Sequence, residues 1–305
     1  MAPKLTFLKK ASQMAKPGSV KFWLHKHLSG FDPARSHKVI HASELTKDGG
    51  FCPRDYALRD VTKAKGKDRW LTTSERMTFQ IGRDQERNIV LWFAEMGKAI
   101  CHWKCVACGT MHYFQLKPER CNECGVRVFD PVEVRFESAI NGASCGIDML
   151  VQLGGKKLTP VELKTMDKEE FKALKAPLAE HKWRTTFYLR LIAESTQPWS
   201  NLVDTSEGRV LYISKGGYGC MDDEPGKWGM TDKFSPFKEY TIKRDDELTI
   251  DLHERAKVVT DFRAGTVGMP CGICPTAMSK RATHCPSRAA CFSGEYPAEY
   301  DWMSK

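Results

Sequence analysis

Apolar positions along the chain recur in two rhythms, and the rhythms separate its elements. Between residues 74 and 97 the spacing is helical. Phe79, Arg83, Glu86, Val90 and Phe93 progress along one helix, with Ser74 as its cap. A second helix is expected from Leu178 to Glu194, with Trp183, Phe187 and Leu191 as its buried line. A third runs from Asp246 to Arg263 and buries Leu248, Leu252, Ala256, Val259 and Phe262. His41 to Glu44 opens a shorter helical run capped by Ser43, and Asp167 caps another short helix that Pro177 ends.

Period-two alternation marks the strands. Pro131–Glu137 alternates, Arg209–Ser214 is a further strand, and Lys238–Lys243 an edge strand. Residues 215–236 are rich in Gly, Pro and Asp and read as a long loop. Ile147, Met149 and Val151 line one face of a strand that Gly154-Gly155 turns back on itself. In the return strand Val161 and Leu163 share a face, so Glu162 and Lys164 share the other. A turn centred at Gly155 sets Asp148 across from Glu162, about 5.5 Å away at Cα. Two carboxylates that close repel by up to about 4 kcal/mol at an effective dielectric near 20, and a divalent cation is the usual relief.

Charge and cysteine content narrow the chemistry. The 305 residues carry a formal net charge of +9, which favours an anionic partner. Nucleic acid is preferred to membrane, since no apolar run reaches spanning length. Residues 1–31 contain Lys but neither Arg nor acid, and read as a basic arm near DNA. Phe22, Trp23 and Leu24 among Lys21, His25, Lys26 and His27 suit a short helix that either stacks on bases or packs on the core. Most of the twelve cysteines fall in C-x-x-C pairs or a terminal group, a usage that suits metal ligation in a reducing cytoplasm, an infected host's included. Cys105, Cys108, Cys121 and Cys124 form two C-x-x-C-G knuckles and specify a zinc ribbon, with Cys101 and His102 beside it as decoys. Cys271, Cys274, Cys285 and Cys291 by themselves can form a second zinc site.

The series Asp148, turn, Glu162-x-Lys164 resembles the PD-(D/E)XK nuclease superfamily, with Ile147 where a Pro is usual. Gly82 followed by Glu86 resembles the first motif of the RecB-type branch. Cys52 upstream and a cysteine group downstream resemble its iron–sulfur exonucleases, such as the AddB nuclease domain and the CRISPR-associated adaptation exonucleases. The resemblance implies an α/β core of a central mixed sheet flanked by helices, over residues 41–100 and 130–292. The ribbon at 101–129 would be an insertion, 1–40 a basic arm and 293–305 a tail. It implies Mg²⁺ or Mn²⁺ on Glu86, Asp148, Glu162 and the Leu163 carbonyl, with Lys164 beside the ion. It implies a [4Fe–4S] cluster on Cys52, Cys274, Cys285 and Cys291, with Cys271 as the alternate. Arg184 and Tyr188 stand where the branch carries Gln-x-x-x-Tyr, and are expected to meet DNA. The expected activity is exonucleolytic hydrolysis of single-stranded or frayed DNA, with a helicase or recombination protein as a conceivable companion. The competing reading is a non-catalytic DNA-binding adaptor that uses the ribbon and the basic surface.

Overall fold

The computed structural model describes residues 19–32, 36–46, 51–63, 69–215 and 235–293. Among them a seven-stranded mixed sheet forms the centre. Its strands are β4 (Ala99–Cys105), β5 (Met111–Gln115), β6 (Phe129–Val132), β9 (Met149–Val151), β10 (Thr159–Met166), β11 (Glu207–Ser214) and β12 (Phe237–Lys243). The path across it is β12-β11-β10-β9-β4-β5, with β6 also on β4. β10 and β11 run parallel, and the other pairs are antiparallel. A smaller sheet joins β2 (Ile40–His41), β8 (Ala143–Ile147) and β7 (Val134–Glu137), and β1 (Gly30–Asp32) pairs with β3 (Arg69–Leu71).

Helices cover both faces, as an α/β fold with a mixed sheet requires. In chain order they are α1 (Val20–Leu28), α2 (Ala42–Leu45), α3 (Pro53–Thr62), α4 (Thr73–Glu95), α5 (Lys168–Ala173), α6 (Ala179–Glu194), α7 (Asp246–Arg263), α8 (Lys280–His284) and α9 (Arg288–Ser293). Ile89 and Val90 of α4 pack with Met149, Val151, Val161 and Leu163 on one side of the sheet. Phe187, Tyr188 and Leu191 of α6 pack with Ile147, Leu150 and Leu158 on the other.

Local chemistry departs from the sequence reading at several points. The long helix starts at Thr72, whose side chain and Glu75 form a reciprocal capping box, and Ser74 lies inside it. Ser43 is likewise interior, because His41 ends β2 and the chain turns helical straight after. Trp183 is 43% exposed, so the buried line of α6 is Phe187 and Leu191 with Thr185, Tyr188 and Leu189. In α7 Thr249 and His253 are buried, and Leu248 and Leu252 only partly so. Residues 216–234 of the expected long loop lie outside the described residues.

Two strands break, and the breaks shape the site. The stretch 131–137 divides at Glu133: β6 stays with β4 while β7 joins β8. The stretch 143–151 divides at Asp148: β8 belongs to the small sheet and β9 to the large one. Val134 pairs with Ile147, so Glu133 and Asp148 are the next residues at one corner. The bend at Asp148 also resets the alternation. Ile147 packs toward α6, while Met149 and Val151 pack toward α4. One expected common face is therefore two.

Candidate active site

The return strand lands where the turn predicts. Val161 pairs with Met149 and Pro160 with Leu150, which carries Glu162 alongside Asp148. The connection is wider than a two-residue turn. It runs through residues 152–158 with Gly154 at φ +97, a conformation that favours glycine. Asp148 Oδ2 accepts the Leu163 backbone N–H at 2.7 Å. That bond ties the acid at the bend to the strand carrying Glu162 and Lys164.

Glu162 is 6% exposed, on the α6 side of β10. Lys164 Nζ lies 2.6 Å from Glu162 Oε1 and donates to the Leu163 carbonyl at 2.7 Å. One ammonium therefore joins two of the oxygens expected to hold a divalent ion. Burial raises the Asp148 carboxyl well above its ordinary range, and the Glu162 charge pushes the same way. Burial pulls Lys164 down, but Glu162 and Asp148 outweigh it and hold the ammonium protonated above the usual lysine range.

Glu86 arrives from the opposite face. Gly82 makes this possible, since a Cβ there would sit 2.9 Å from Thr165 Oγ1 on β10. The helix thus crosses the sheet at backbone distance, and Glu86 follows one turn later. Burial raises its carboxyl, and it feels the charges of Lys164, Glu162, Lys215 and Glu133. Glu86, Asp148 and Glu162 do not close to within 4.8 Å of one another; among the described residues only the ribbon thiols form so tight a group. Glu86 shares a surface groove with Arg76, Arg83, Thr165 and Lys215.

The alternation hid Glu133. Its carboxylate lies over Gly146, where a Cβ would collide with it, and its charge reaches Asp148 and Glu86. It stays exposed, and only the break at that residue, which alternation does not reveal, sets it at the corner beside Asp148.

Arg184 and Tyr188, expected at DNA, are turned inward. Arg184 is 16% exposed at its side chain, with guanidinium nitrogens 3.6 Å from Glu162 Oε1 and 3.8 Å from Glu180 Oε1. Its Nε donates to Thr46 Oγ1 at 3.4 Å. Tyr188 is 7% exposed, and burial followed by the Glu162 charge raises its hydroxyl pKa well above the ordinary range. Arg184 pairs with Glu162 from the α6 side, and Tyr188 lies beside it. His181 completes that wall through Nδ1, 2.8 Å from the Tyr212 hydroxyl. Burial, then Lys164 and Arg184, lowers it to about 3, so its ring is neutral.

The cysteines form two groups. Cys105, Cys108, Cys121 and Cys124 lie within 4.8 Å of one another, a spacing that suits one tetrahedral ion. Cys101 and His102 stay out of it. Cys101 Sγ faces the Asp148 carbonyl at 3.9 Å, and His102 Nδ1 accepts the Phe114 N–H at 3.0 Å. Cys52, Cys274, Cys285 and Cys291 line a single pocket between α3 and the terminal helices, while Cys271 is exposed on the wall of a different one. Cys285 Sγ is 3.2 Å from Asp55 Oδ1 there, and burial with that carboxylate pushes its thiol up to about 12.

No protein-family model matches the chain, and no curated protein does. Among solved structures the chain is similar to an alkaline exonuclease, LHK-Exo, from Laribacter hongkongensis. The identity is 12% and the TM-score 0.39, over 81% of this chain and 94% of that one. The complex of LHK-Exo with dAMP gives 12%, 0.40, 81% and 94%. The protein SSO0001 gives 13% identity and a TM-score of 0.36, over 90% of this chain and 93% of that one. Each likeness is slight in identity and in superposition.

Proposed function

We propose that the protein is a divalent-metal-dependent deoxyribonuclease acting from the ends of single-stranded or frayed DNA. The observation that carries this is the Lys164 ammonium shared by the Glu162 carboxylate and the Leu163 carbonyl, with Asp148 bonded to the N–H of Leu163. A cation already bridges two oxygens of the donor set, and an acid of raised pKa stands beside them. An all-oxygen set fits a hard ion. Asp148, Glu162 and the Leu163 carbonyl, with Glu86 from α4, would hold Mg²⁺ or Mn²⁺, which supplies Lewis-acid polarisation of the phosphate and a water of low pKa.

The remaining roles fall to the chain itself. Lys164 orients the attacking water and offsets charge that develops on the phosphate oxygens. Arg184, Tyr188 and His181 position Glu162 and keep its far side dry. Glu133 adds negative charge at the rim, which Asp148 and Glu86 feel. Lys215 and Arg83, in the groove with Glu86, take backbone phosphates.

Cys105, Cys108, Cys121 and Cys124 would hold zinc, which supplies the stability a small ribbon lacks. Cys52, Cys274, Cys285 and Cys291 would hold a [4Fe–4S] cluster, a staple between α3 and the terminal helices. One pocket that gathers a thiol from the start of α3 and three from the far end of the chain supports a group that ties the two together.

The test is end-labelled DNA incubated with Mn²⁺ or Mg²⁺. Wild type is expected to degrade it, and Asp148→Ala and Lys164→Ala to lose about a hundredfold or more in rate. Equal rates in all three would remove the assignment. Salt-sensitive DNA binding unaffected by Glu162→Ala, with no cleavage under any divalent ion, would favour the adaptor reading.

A further inference from the structure

Arg184 divides its three guanidinium nitrogens among three partners. Nη1 lies 3.6 Å from Glu162 Oε1, Nη2 lies 3.8 Å from Glu180 Oε1, and Nε donates to Thr46 Oγ1 at 3.4 Å. An arginine beside a buried carboxylate ordinarily closes on it with two parallel bonds of about 2.7–2.9 Å. Here neither carboxylate has it. Glu162 and Glu180 each draw a different terminal nitrogen, and the fork stands between them.

Glu180 is aligned in its turn. It lies in the first turn of α6, one residue before His181 and one helical turn before Arg184. The Tyr212 hydroxyl accepts the Leu178 N–H at 3.0 Å, so its own hydrogen goes to His181 Nδ1, 2.8 Å away. A neutral ring that accepts at Nδ1 carries its proton on Nε2. That nitrogen lies 3.1 Å from Glu180 Oε1. Tyr212 belongs to β11, the parallel neighbour of the strand that carries Glu162. A polar chain thus leaves the sheet at Tyr212, passes through His181, Glu180 and Arg184, and returns to the sheet at Glu162. The Lys164 ammonium already stands 2.6 Å from Glu162 Oε1. A guanidinium closed on the same carboxylate would add a second cation that any divalent ion must displace.

We propose that Glu180, oriented by His181 and Tyr212, holds Arg184 off Glu162 and so keeps that carboxylate able to take a divalent ion. Glu180 is a positioning residue, since it acts through Arg184. The proposal rests on the nuclease reading for the ion, and its geometric half is tested without one.

Two measurements test it. The first is Mn²⁺ binding to the full chain without DNA, followed by the EPR signal of the free ion. Glu180→Gln keeps the shape of the side chain and removes its charge. It is expected to bind Mn²⁺ about tenfold more weakly than wild type. Arg184→Gln should bind at least as tightly as wild type. The Glu180→Gln/Arg184→Gln double variant should match Arg184→Gln, because no guanidinium is left to hold off. His181→Phe, which takes the Nε2 proton from Glu180, should weaken binding as Glu180→Gln does. The second measurement is a metal-free crystal structure of Glu180→Gln, in which Arg184 should close on Glu162 to about 2.9 Å. An unmoved guanidinium there would overturn the proposal. So would wild-type affinity in Glu180→Gln, or a double variant as weak as Glu180→Gln alone. Closure in that crystal structure, with a wild type that binds no divalent ion, removes the nuclease reading while the standoff remains. Tight Mn²⁺ binding that Glu180→Gln leaves unchanged removes this proposal alone.

Discussion

Asp148 is costly where it stands. Its carboxyl is crowded by Glu162 and by protein on most sides, and its pKa lies well above that of an ordinary aspartate. The folded chain therefore keeps a proton that the unfolded chain has released. Its contribution to stability is full below the ordinary aspartate range and is lost as pH rises toward the folded value. Asp148→Asn removes the charge and keeps an oxygen for the Leu163 N–H. It is expected to raise stability at pH 8 by roughly 1–2 kcal/mol, to flatten the pH slope of the urea midpoint, and to abolish cleavage. A variant no more stable than wild type at pH 8 would show that the site carries no such strain. Single residues were unevenly legible in the sequence. Asp148, Glu162 and Lys164 could be placed because a Gly-Gly turn and strict alternation fix the register. Glu133 could not, because alternation says nothing about where a strand breaks. For Tyr188 and Arg184 only a role at DNA was expected, because a helix pattern does not reveal that Glu162, from the adjacent strand, is buried beside them.

At the level of elements, α4 and β10 meet through Gly82. In an exposed helix, replacing this glycine by alanine would gain about 1 kcal/mol. Here the new Cβ meets Thr165 Oγ1 at 2.9 Å, and a β-branched side chain on a packed strand has little freedom to yield. Gly82→Ala is expected to lose the propensity gain, destabilise by about 1–2 kcal/mol and slow cleavage more than it unfolds the protein, because Glu86 rides on the displaced helix. Adding Thr165→Ala should restore both, read as urea midpoints and cleavage rates across the double-mutant cycle. Additive losses would mean that the contact does not set the helix. Elements with a long period were legible: α7 spans Asp246–Arg263 as its spacing predicts. The divided strands were not, since each half satisfies the same alternation while joining a different sheet.

For the whole molecule, the consequential contacts join distant parts of the chain. α3 and α9 enclose the pocket of Cys52, Cys274, Cys285 and Cys291, and Arg263 of α7 donates to Asp60 of α3 at 2.8 Å. The proposed cluster, as a staple across so long a loop, would contribute on the order of 5 kcal/mol by the loop-closure estimate. Cys52→Ser is expected to lose iron and lower the melting temperature by many degrees under anaerobic conditions, whereas Cys271→Ser changes neither. An iron-free wild type with the same melting temperature would remove the staple. The order of motifs along the sequence anticipated that Cys52 and the late cysteines line one pocket. The ribbon's attachment was not legible, because two knuckles of a standard kind suggest a detachable module. β4 instead runs unbroken from Ala99, paired with Val151 in the central sheet, to Cys105 among the thiols. Trp103 and Phe129 are 0% and 1% exposed in the hydrophobic cluster that also holds Cys105 and Cys121. A shortened chain in which a linker replaces residues 106–128 would therefore not yield a smaller working protein. It would uncover an indole and a phenyl ring beside the loose end of an inner strand, and such a protein should precipitate rather than refold.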